Sequence, residues 1–354
     1  MIWLWIGFVV FILLMLWLDL AVLNRGAHVI SVKKALVWSA FCVVLALLFN
    51  VAVYFIYENH WLGIGMAKIN AETGAVIHPA LSGADAAKEF LTGYLIEQSL
   101  SMDNLFVIAV IFGFFHVPPQ YQHRVLFWGI MGALVMRGLM IGVGYVLIEN
   151  FAWMTYVFAG LLLITAAKML TSGDEKPDPS RNVFLRLVKK MVPVADEYDG
   201  QKFLTRINGK LAITRLTIVL IVVESTDVIF AVDSIPAIFA VTKDPFIVFT
   251  SNVFAILNLR SLYFALAGMM EKFKYVKSSL VFILTFVAVK MLVQHTQFKI
   301  PTEVTLVVIA ATLTVGIVAS LISARRLERE LALKGHESDP KILATPEEKD
   351  MEKH

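Results

Sequence analysis

The chain alternates between long apolar runs and short polar segments, and the runs are long enough to cross a bilayer. A transmembrane helix needs about 20 consecutive, mostly apolar residues. Nine runs approach or exceed that length, and they predict spans at residues 2–23, 33–57, 89–115, 125–148, 153–170, 212–240, 246–269, 278–294 and 303–323. The pattern therefore predicts an all-α polytopic membrane protein with about nine transmembrane helices.

The polar segments divide the chain around these spans. The predicted regions are spans one and two (1–57), an extracytoplasmic loop (58–88), spans three to five (89–170), a cytoplasmic loop (171–211), spans six to eight (212–294), span nine (303–323) and a charged cytoplasmic tail (324–354). An amphipathic pattern over 182–192 predicts a helix on the membrane surface. The Asn-Gly pair within 203–214 predicts a β-hairpin. The tail is expected to be helical at first and disordered later.

Lysine and arginine fall on alternate loops, which fixes an orientation under the positive-inside rule. The basic positions on the predicted cytoplasmic side are Arg25, Lys33 and Lys34, nine residues between Lys176 and Arg215, then Lys272, Lys274, Lys277, Arg325 and Arg326. The loops on the opposite side hold few lysines or arginines. An odd number of spans places the termini on opposite sides, so we expect the N-terminus outside and the C-terminus in the cytoplasm.

Composition narrows the function classes. Charged residues make up 17% of the chain and hydrophobic residues 58%, whereas a soluble domain has about 25% charged residues. The net charge of +3 gives no reason to expect nucleic acid. A single cysteine, Cys42, excludes an intramolecular disulfide or a thiolate metal cluster.

Neither a glycine-rich nucleotide loop nor a Ser/His/Asp arrangement occurs, so we expect no enzymatic activity and no organic cofactor. Membrane lipid, metal ions and protons are the expected partners, and nothing in the pattern specifies an oligomeric state.

Carboxylates interrupt two of the spans. They are Glu97 and Asp103 in the stretch EQSLSMDNLF, and Glu224, Asp227 and Asp233 in the stretch ESTDVIFAVDSIPA. An aspartate at the centre of a membrane helix costs roughly 2.5–3.5 kcal/mol even on lenient insertion scales. Carboxylates at that depth need a compensating partner, and the natural one is a cation. We interpret the two stretches as halves of one site.

The surrounding residues indicate which cation could bind. Asn104, Ser234 and Asn252 are neutral oxygen donors, although each alone is typical of a helix-packing hydrogen bond. Asp19, near the inner end of span one, is a further candidate. Oxygen ligands without Cys or His suit Mg²⁺, Ca²⁺ or Mn²⁺, and ligand chemistry does not separate these three.

A structural salt-bridge network is the alternative interpretation of these acids. Arg137 and Arg260 lie within the spans and could neutralise carboxylates without any transported ion. Five acids outnumber two arginines, however, and the surplus negative charge favours a mobile cation or protons.

The two acidic stretches also belong to an internal repeat. The aligned markers are Asp103-Asn104 with Asp233-Ser234, Glu97 with Asp227, Arg137 with Arg260, and Lys168-Met169-Leu170 with Lys290-Met291-Leu292. The markers recur in the same order across spans 3–5 and 6–8. Because span 3 runs inward and span 6 outward, the repeats are inverted, an arrangement that places a transporter's site at the repeat interface.

Helix geometry adds a condition to a single shared site. Residues six apart on a regular helix point about 120° apart. Asp227 and Asp233 could therefore reach one ion only if the helix were broken, and Pro236 is the expected breaker. Glu224 and Asp227 are three residues apart and share a face of an intact helix.

The stretches EQSLSMDN and VESTDVIFAVDSIPAIFAV strongly resemble the TerC family, named after tellurium resistance, and within it the Alx branch of bacterial inner-membrane proteins. The resemblance extends over FLTGYLIE, TKDPFIVFTSN and RINGKL, from span one to span nine. It implies manganese efflux at the inner membrane. It also implies that the functional acids are Glu97, Asp103, Glu224, Asp227 and Asp233.

Two hypotheses of different classes follow. The first is an exporter with Mn²⁺ as the transported substrate, Ca²⁺ and Mg²⁺ remaining open, exchanged against protons or driven by the membrane potential. The second is a non-transporting membrane component, either a metal-binding assembly partner or a redox modulator. The inverted repeat favours the exporter.

Overall fold

Nine long helices make up most of the part of the chain that the computed structural model describes. The described residues are 2–18, 31–69, 76–78, 80–171, 185–186, 188, 190, 192–195, 197–207, 209–266, 274–294, 296 and 298–337. The helices are α1 (Ile2–Leu18), α2 (Val32–Glu58), α3 (Gly83–Phe114), α4 (Pro119–Asn150), α5 (Met154–Thr171), α6 (Arg215–Phe239), α7 (Pro245–Leu266), α8 (Lys274–Val293) and α9 (Thr302–Glu337). The described part also contains two short antiparallel pairs of β-strands. They are β1 (Lys68–Ile69) with β2 (Val76–His78), and β3 (Leu204–Ile207) with β4 (Lys210–Ile213).

Seven helices within the described residues are long and apolar enough to cross a membrane. The other two helices, α1 and α6, do not meet this description, each for a different reason. Helix α1 is apolar throughout but has 17 residues. Helix α6 has 25 residues, which is sufficient length, but it carries the three carboxylates that the sequence placed in this span. The predicted all-α polytopic fold is confirmed.

Helices α3 and α4 are longer than their predicted spans. Each has 32 residues, which is about 48 Å of helix against about 30 Å of hydrocarbon. Helix α3 begins at Gly83 because Ser82 caps it, its hydroxyl accepting a hydrogen bond from the Asp85 amide at 3.1 Å. Helix α9 likewise continues past residue 323 to Glu337, into the tail, and residues 338–354 lie outside the described part.

Helix α7 lies at the centre of the bundle. Nearly all of its side chains are buried, and it packs against α2, α3 and α4. A mostly apolar helix without a polar face for solvent is stable only in such a position. Close approach to α3 depends on Gly93, because a Cβ there would lie 2.9 Å from the Ser251 hydroxyl. Helices α5, α8 and α9 form a second group in contact with α3 and α6.

The helix contacts are reciprocal between the two proposed repeats. Helix α3 packs against α7, α4 packs against α6, and α5 packs against α8. Exchanging α3–α5 with α6–α8 leaves this set of contacts unchanged, as an inverted repeat requires. Superposition of the two halves, with Arg137 on Arg260, remains a prediction.

The expected break in the sixth span does not occur. Helix α6 is continuous from Arg215 to Phe239, with Pro236 inside it. Proline cannot donate to the preceding turn, but the helix resumes at once, since the Ala240 amide donates to the Pro236 carbonyl at 3.1 Å. The prediction of a broken helix was wrong. Residues six apart on α6 therefore keep their divergent directions.

The loop before α6 contains an antiparallel hairpin. Ile207 pairs with Lys210 across the turn, and Gly209 supplies the left-handed φ of +76° that such turns require. Of the predicted surface helix 182–192, Leu185, Arg186, Val188 and Lys190 are helical, and most of its other residues lie outside the described part.

Candidate functional site

Arg137 occupies the middle of the bundle. It lies 18 residues beyond the start of α4, about 27 Å along a helix about 48 Å long. Its Nε donates to Asp227 Oδ2 at 3.1 Å and its Nη2 to Asp227 Oδ1 at 2.9 Å, while Nη1 donates to Glu97. The three residues are 2%, 7% and 1% exposed, in that order. Bidentate pairing of this kind is among the strongest charge-assisted interactions in proteins.

Neutral side chains complete the shell around these charges. Asn104 donates to Asp227 Oδ1 at 3.0 Å and Asn252 donates to Glu97 Oε2 at 3.0 Å. Arg137 Nη1 also lies 3.3 Å from Ser234 Oγ and 3.4 Å from Asn252 Oδ1. We call the resulting set the arginine cluster, which consists of Glu97, Asn104, Arg137, Asp227, Ser234 and Asn252.

The arginine cluster joins α3 and α6 in opposite directions. Asn104 of α3 contacts Asp227 of α6, whereas Glu97 and Ser234 meet at the same guanidinium nitrogen. The residue that comes first on one helix is thus beside the residue that comes last on the other, so α3 and α6 run antiparallel. This is the relative direction that the inverted repeat predicts for the two helices.

Asp103 and Asp233 lie outside the arginine cluster. Asp233 accepts a hydrogen bond from Thr165 Oγ1 of α5 at 2.6 Å. Asp103 lies one residue before Asn104 on α3, and the charged groups that act on it electrostatically are Lys277 and Asp233. Lys168 acts on Asp233 in the same way. We call Asp103 and Asp233 the aspartate pair.

The separation of these two groups follows from the unbroken helices. Each aspartate of the pair precedes a member of the arginine cluster, Asn104 or Ser234, and consecutive helical residues point about 100° apart. Of the four acids that the sequence assigns to one site, Glu97 and Asp227 meet at Arg137, whereas Asp233 contacts Thr165 and Asp103 lies outside the arginine cluster. Among the described residues, no three His, Cys, Asp or Glu side chains are placed to hold a metal ion.

Glu224 lies on the same side of α6 as Asp227, as their spacing predicts. Its carboxylate rests over Gly132 of α4, where any Cβ would overlap it. A small cleft adjoins this region, lined by Asn104, Gly129, Asp227 and apolar residues. Two residues of the arginine cluster, Asn104 and Asp227, thus line this cleft.

The electrostatics of the arginine cluster are unbalanced. One guanidinium contacts two carboxylates, so one negative charge is left if all three groups are ionised. Burying uncompensated charge costs several kcal/mol per ion. The salt-bridge interpretation accounts for Arg137, and Arg260 is buried on α7 with contacts of its own. Asp19 lies outside the described residues.

Thr165 was not among the residues that the sequence singled out. It contacts Asp233, yet a threonine in an apolar helix is common. Its position three residues before Lys168 could have drawn attention to it, because residues three apart share a helix face. Gly132 was missed for a different reason, since space for a neighbouring side chain leaves no mark in the sequence.

Comparison with known proteins identifies similar chains. Residues 82–329 match the integral membrane protein TerC family. The chain is 46% identical over 322 residues to "Uncharacterized membrane protein STKORF319" of Myxococcus xanthus, covering 91% of this chain and 93% of that one. It is 43% identical over 307 residues to "Putative membrane-bound redox modulator Alx" of Escherichia coli K12, covering 86% and 90%. No solved structure matches the chain.

Removing the guanidinium should destabilise the folded protein more than any other single change in the arginine cluster. Arg137→Met would leave Glu97 and Asp227 buried without a cation, at a cost of about 3–5 kcal/mol. For a chain of this size we expect the melting temperature to fall on the order of 10 °C. Thermal denaturation of the detergent-purified protein, followed by size-exclusion chromatography, measures the change.

Two further variants make this test specific. Combining Arg137→Met with Glu97→Gln and Asp227→Asn removes the charge imbalance and should restore most of the lost stability. Arg124→Met, on the same helix, removes an arginine that stacks on Phe203 at 5.1 Å and should cost far less. An Arg137→Met protein as stable as the wild type would show that the ion pairs do not hold the bundle together.

Proposed function

This chain belongs to the TerC family of integral membrane proteins, and we propose that it exports a divalent metal cation, with Mn²⁺ as the substrate, through the centre of its helix bundle. One observation carries the proposal. Buried carboxylates at mid-helix depth outnumber the guanidinium that contacts them. A site with surplus negative charge in a low-dielectric interior favours a cation.

In the proposed mechanism Arg137 serves as a tethered substitute for the transported ion. Its guanidinium neutralises Glu97 and Asp227 while no metal is bound, which keeps the bundle closed. An entering cation competes for the same carboxylates and displaces Arg137 towards neutral acceptors such as Ser234 and Asn252. The energy gained from metal coordination is thus offset by the broken ion pair, so that binding stays weak enough for release.

The aspartate pair supplies the second position in this scheme. In this scheme Asp103 and Asp233 act as neighbouring carboxylates, and two such groups are easier to ionise one at a time than together. The proton held by one of them would be released when a cation arrives and taken up again when it leaves. Exchange against protons follows from this coupling, with Glu224 as a further acid on the path.

We assign the protein to the bacterial inner membrane, with its N-terminus outside and its C-terminus in the cytoplasm. The basic loops support this orientation. The hairpin and the end of α9 would then lie on the cytoplasmic side, and a cation would enter from that side through the cleft beside Asn104 and Asp227.

The relatives named Alx carry the description redox modulator. A redox role in this chain would have to operate with a single cysteine, Cys42, which is buried. Lone, buried thiols are usually inert, so the midplane carboxylates provide the stronger basis for a function.

Asp233→Asn should abolish manganese export while leaving the protein folded and inserted. The amide keeps the shape and one oxygen ligand but removes a unit of charge, and a divalent ion in a dehydrated site needs nearly complete neutralisation. The measurement is growth and intracellular manganese in a manganese-sensitive bacterial strain that expresses the variant at membrane levels matched to the wild type.

The matched control is Asp85→Asn, the same chemical change at the exposed start of α3. Asp85 pairs there with Lys88 at 2.7 Å, and exposed ion pairs contribute little, so its export should equal that of the wild type. If Asp233→Asn protects cells and lowers intracellular manganese as well as the wild type does, Asp233 is not part of the transport path.

Gly132→Ala should weaken Mn²⁺ binding without unfolding the protein. The added methyl group takes the space of the Glu224 carboxylate, and this flexible side chain can move aside at little cost in stability. Displacing a group at the edge of a metal site typically costs about tenfold or more in affinity. Calorimetric titration of the purified protein with Mn²⁺ measures the change.

Gly142→Ala is the control on the same helix, because a Cβ there meets nothing within 4 Å. Both variants should melt within a few degrees of the wild type. Unchanged Mn²⁺ affinity in Gly132→Ala would remove Glu224 from the proposed path.

A further inference from the structure

The β3–β4 hairpin is fixed to the helix that carries three of the acids. Thr214 caps α6 and donates its amide to the Phe203 carbonyl at 3.0 Å and its hydroxyl to the Lys202 carbonyl at 2.7 Å. Tyr198, just before the hairpin, donates its hydroxyl to the Phe115 carbonyl at the end of α3, at 2.8 Å. The hairpin is therefore a rigid extension of the bundle rather than a free loop.

One side of the hairpin packs against α4 near the edge of the membrane. The Phe203 ring lies 6.3 Å from the ring of Trp128 in edge-to-face geometry, and the Arg124 guanidinium lies 5.1 Å from the Phe203 ring centre. Trp128 is nine residues, about 13 Å, beyond the start of α4. Since α4 exceeds the hydrocarbon thickness by about 18 Å, Trp128 falls close to the lipid headgroup boundary, where tryptophan is enriched.

The strand register then determines what the other side presents. Paired residues in an antiparallel ribbon project to the same side. Thr205 pairs with Ala212, and this side includes Phe203 and turns towards α4. Leu204 pairs with Ile213 and Arg206 with Leu211, so these four side chains project from the opposite side.

That opposite side is apolar and basic at once. Leu204 is 52% exposed and Leu211 is 60% exposed, and Arg206 between them is exposed as well. Ile213, at the base of the hairpin, is buried. Lys210 pairs with Ile207 and therefore projects from the Phe203 side, where it is exposed at the turn. Two exposed leucines beside an arginine, with a lysine at the adjoining turn, are the composition that binds the interface of an acidic bilayer.

The surrounding sequence has the same sign of charge. Residues 181–215 contain eight lysines and arginines and three acidic residues. Trp128, against which the hairpin is anchored, is itself 47% exposed. A surface at headgroup depth, beside the bundle and rich in positive charge, is complementary to anionic phospholipid in the adjoining leaflet.

We propose that the β3–β4 hairpin docks on the bilayer surface, with Leu204 and Leu211 inserted among the headgroups and Arg206 and Lys210 bound to acidic phospholipid. Docking would fix the inner ends of α3, α4 and α6, the three helices that supply the charged groups of the arginine cluster, to the membrane surface. This inference concerns the lipid and does not depend on the transported substrate.

The test uses the full-length protein in lipid nanodiscs. A cysteine replaces Leu211 in a Cys42→Ala background and is labelled with an environment-sensitive fluorophore. Nanodiscs contain either phosphatidylcholine alone or phosphatidylcholine with about one-third phosphatidylglycerol. A spin-labelled lipid quenches any fluorophore that reaches the headgroup region. The same label at Lys202, an exposed residue at the far end of the hairpin ladder from the turn, serves as the reference position.

We expect the label at position 211 to be quenched at least about twofold more strongly in acidic than in neutral nanodiscs, because each basic residue near an anionic surface strengthens docking severalfold. Adding Arg206→Gln and Lys210→Gln should remove most of that difference, as should high salt. Thermal melting confirms that each labelled protein is folded.

Two results would overturn the proposal. A label at position 211 that spin-labelled lipid leaves unquenched in both bilayers would place the hairpin in water. Equal quenching in neutral and acidic bilayers, unchanged by the two glutamine substitutions, would show insertion without recognition of acidic lipid. Manganese export is not measured in this experiment, so its outcome is separate from that of the proposed function.

Discussion

The pairing of Arg137 with two buried carboxylates is the interaction on which the structure depends. Charges at this depth are tolerated only when they are paired and hydrogen-bonded. Glu97, Asp227 and Arg137 lie on three different helices, so satisfying their charges draws α3, α4 and α6 together. The neighbouring amides of Asn104 and Asn252 complete the hydrogen bonding. In the proposed function the surplus carboxylate would receive the cation, which would link stability to transport.

Helix continuity explains why the acids form two groups. Because α6 continues through Pro236, Asp227 and Asp233 diverge, and Asp227 faces the guanidinium while Asp233 faces Thr165 of α5. The acids of α6 therefore contact different neighbouring helices, Asp227 contacting α4 and Asp233 contacting α5. A transported ion would pass from one group to the other instead of resting between four carboxylates, and a chain of weaker sites permits release as well as binding.

Much of this arrangement could be predicted from the sequence, since apolar run lengths and buried acids are local properties. Residues six apart on a regular helix point about 120° apart, and this spacing already separated Asp227 from Asp233. It should have led us to predict two groups of acids. We instead expected Pro236 to break the helix and bring the acids together. The pairing of Arg137 with Glu97 and Asp227, the contact of Thr165 with Asp233, and the space that Gly132 leaves for Glu224 depend on which helices pack together. The lengths of α3 and α4 were underestimated, because the apolar pattern does not include their polar terminal turns, which lie outside the hydrocarbon.

Flux measured in sealed vesicles that contain only this protein tests the central claim most directly. Purified protein is reconstituted into liposomes loaded with a manganese-sensitive dye, and Mn²⁺ is added outside under an imposed proton gradient. The account predicts saturable Mn²⁺ entry above that of protein-free vesicles, which is lost in Asp227→Asn and collapses with the gradient. A folded wild-type preparation that binds Mn²⁺ but transports none would contradict it and leave a non-transporting membrane component in its place.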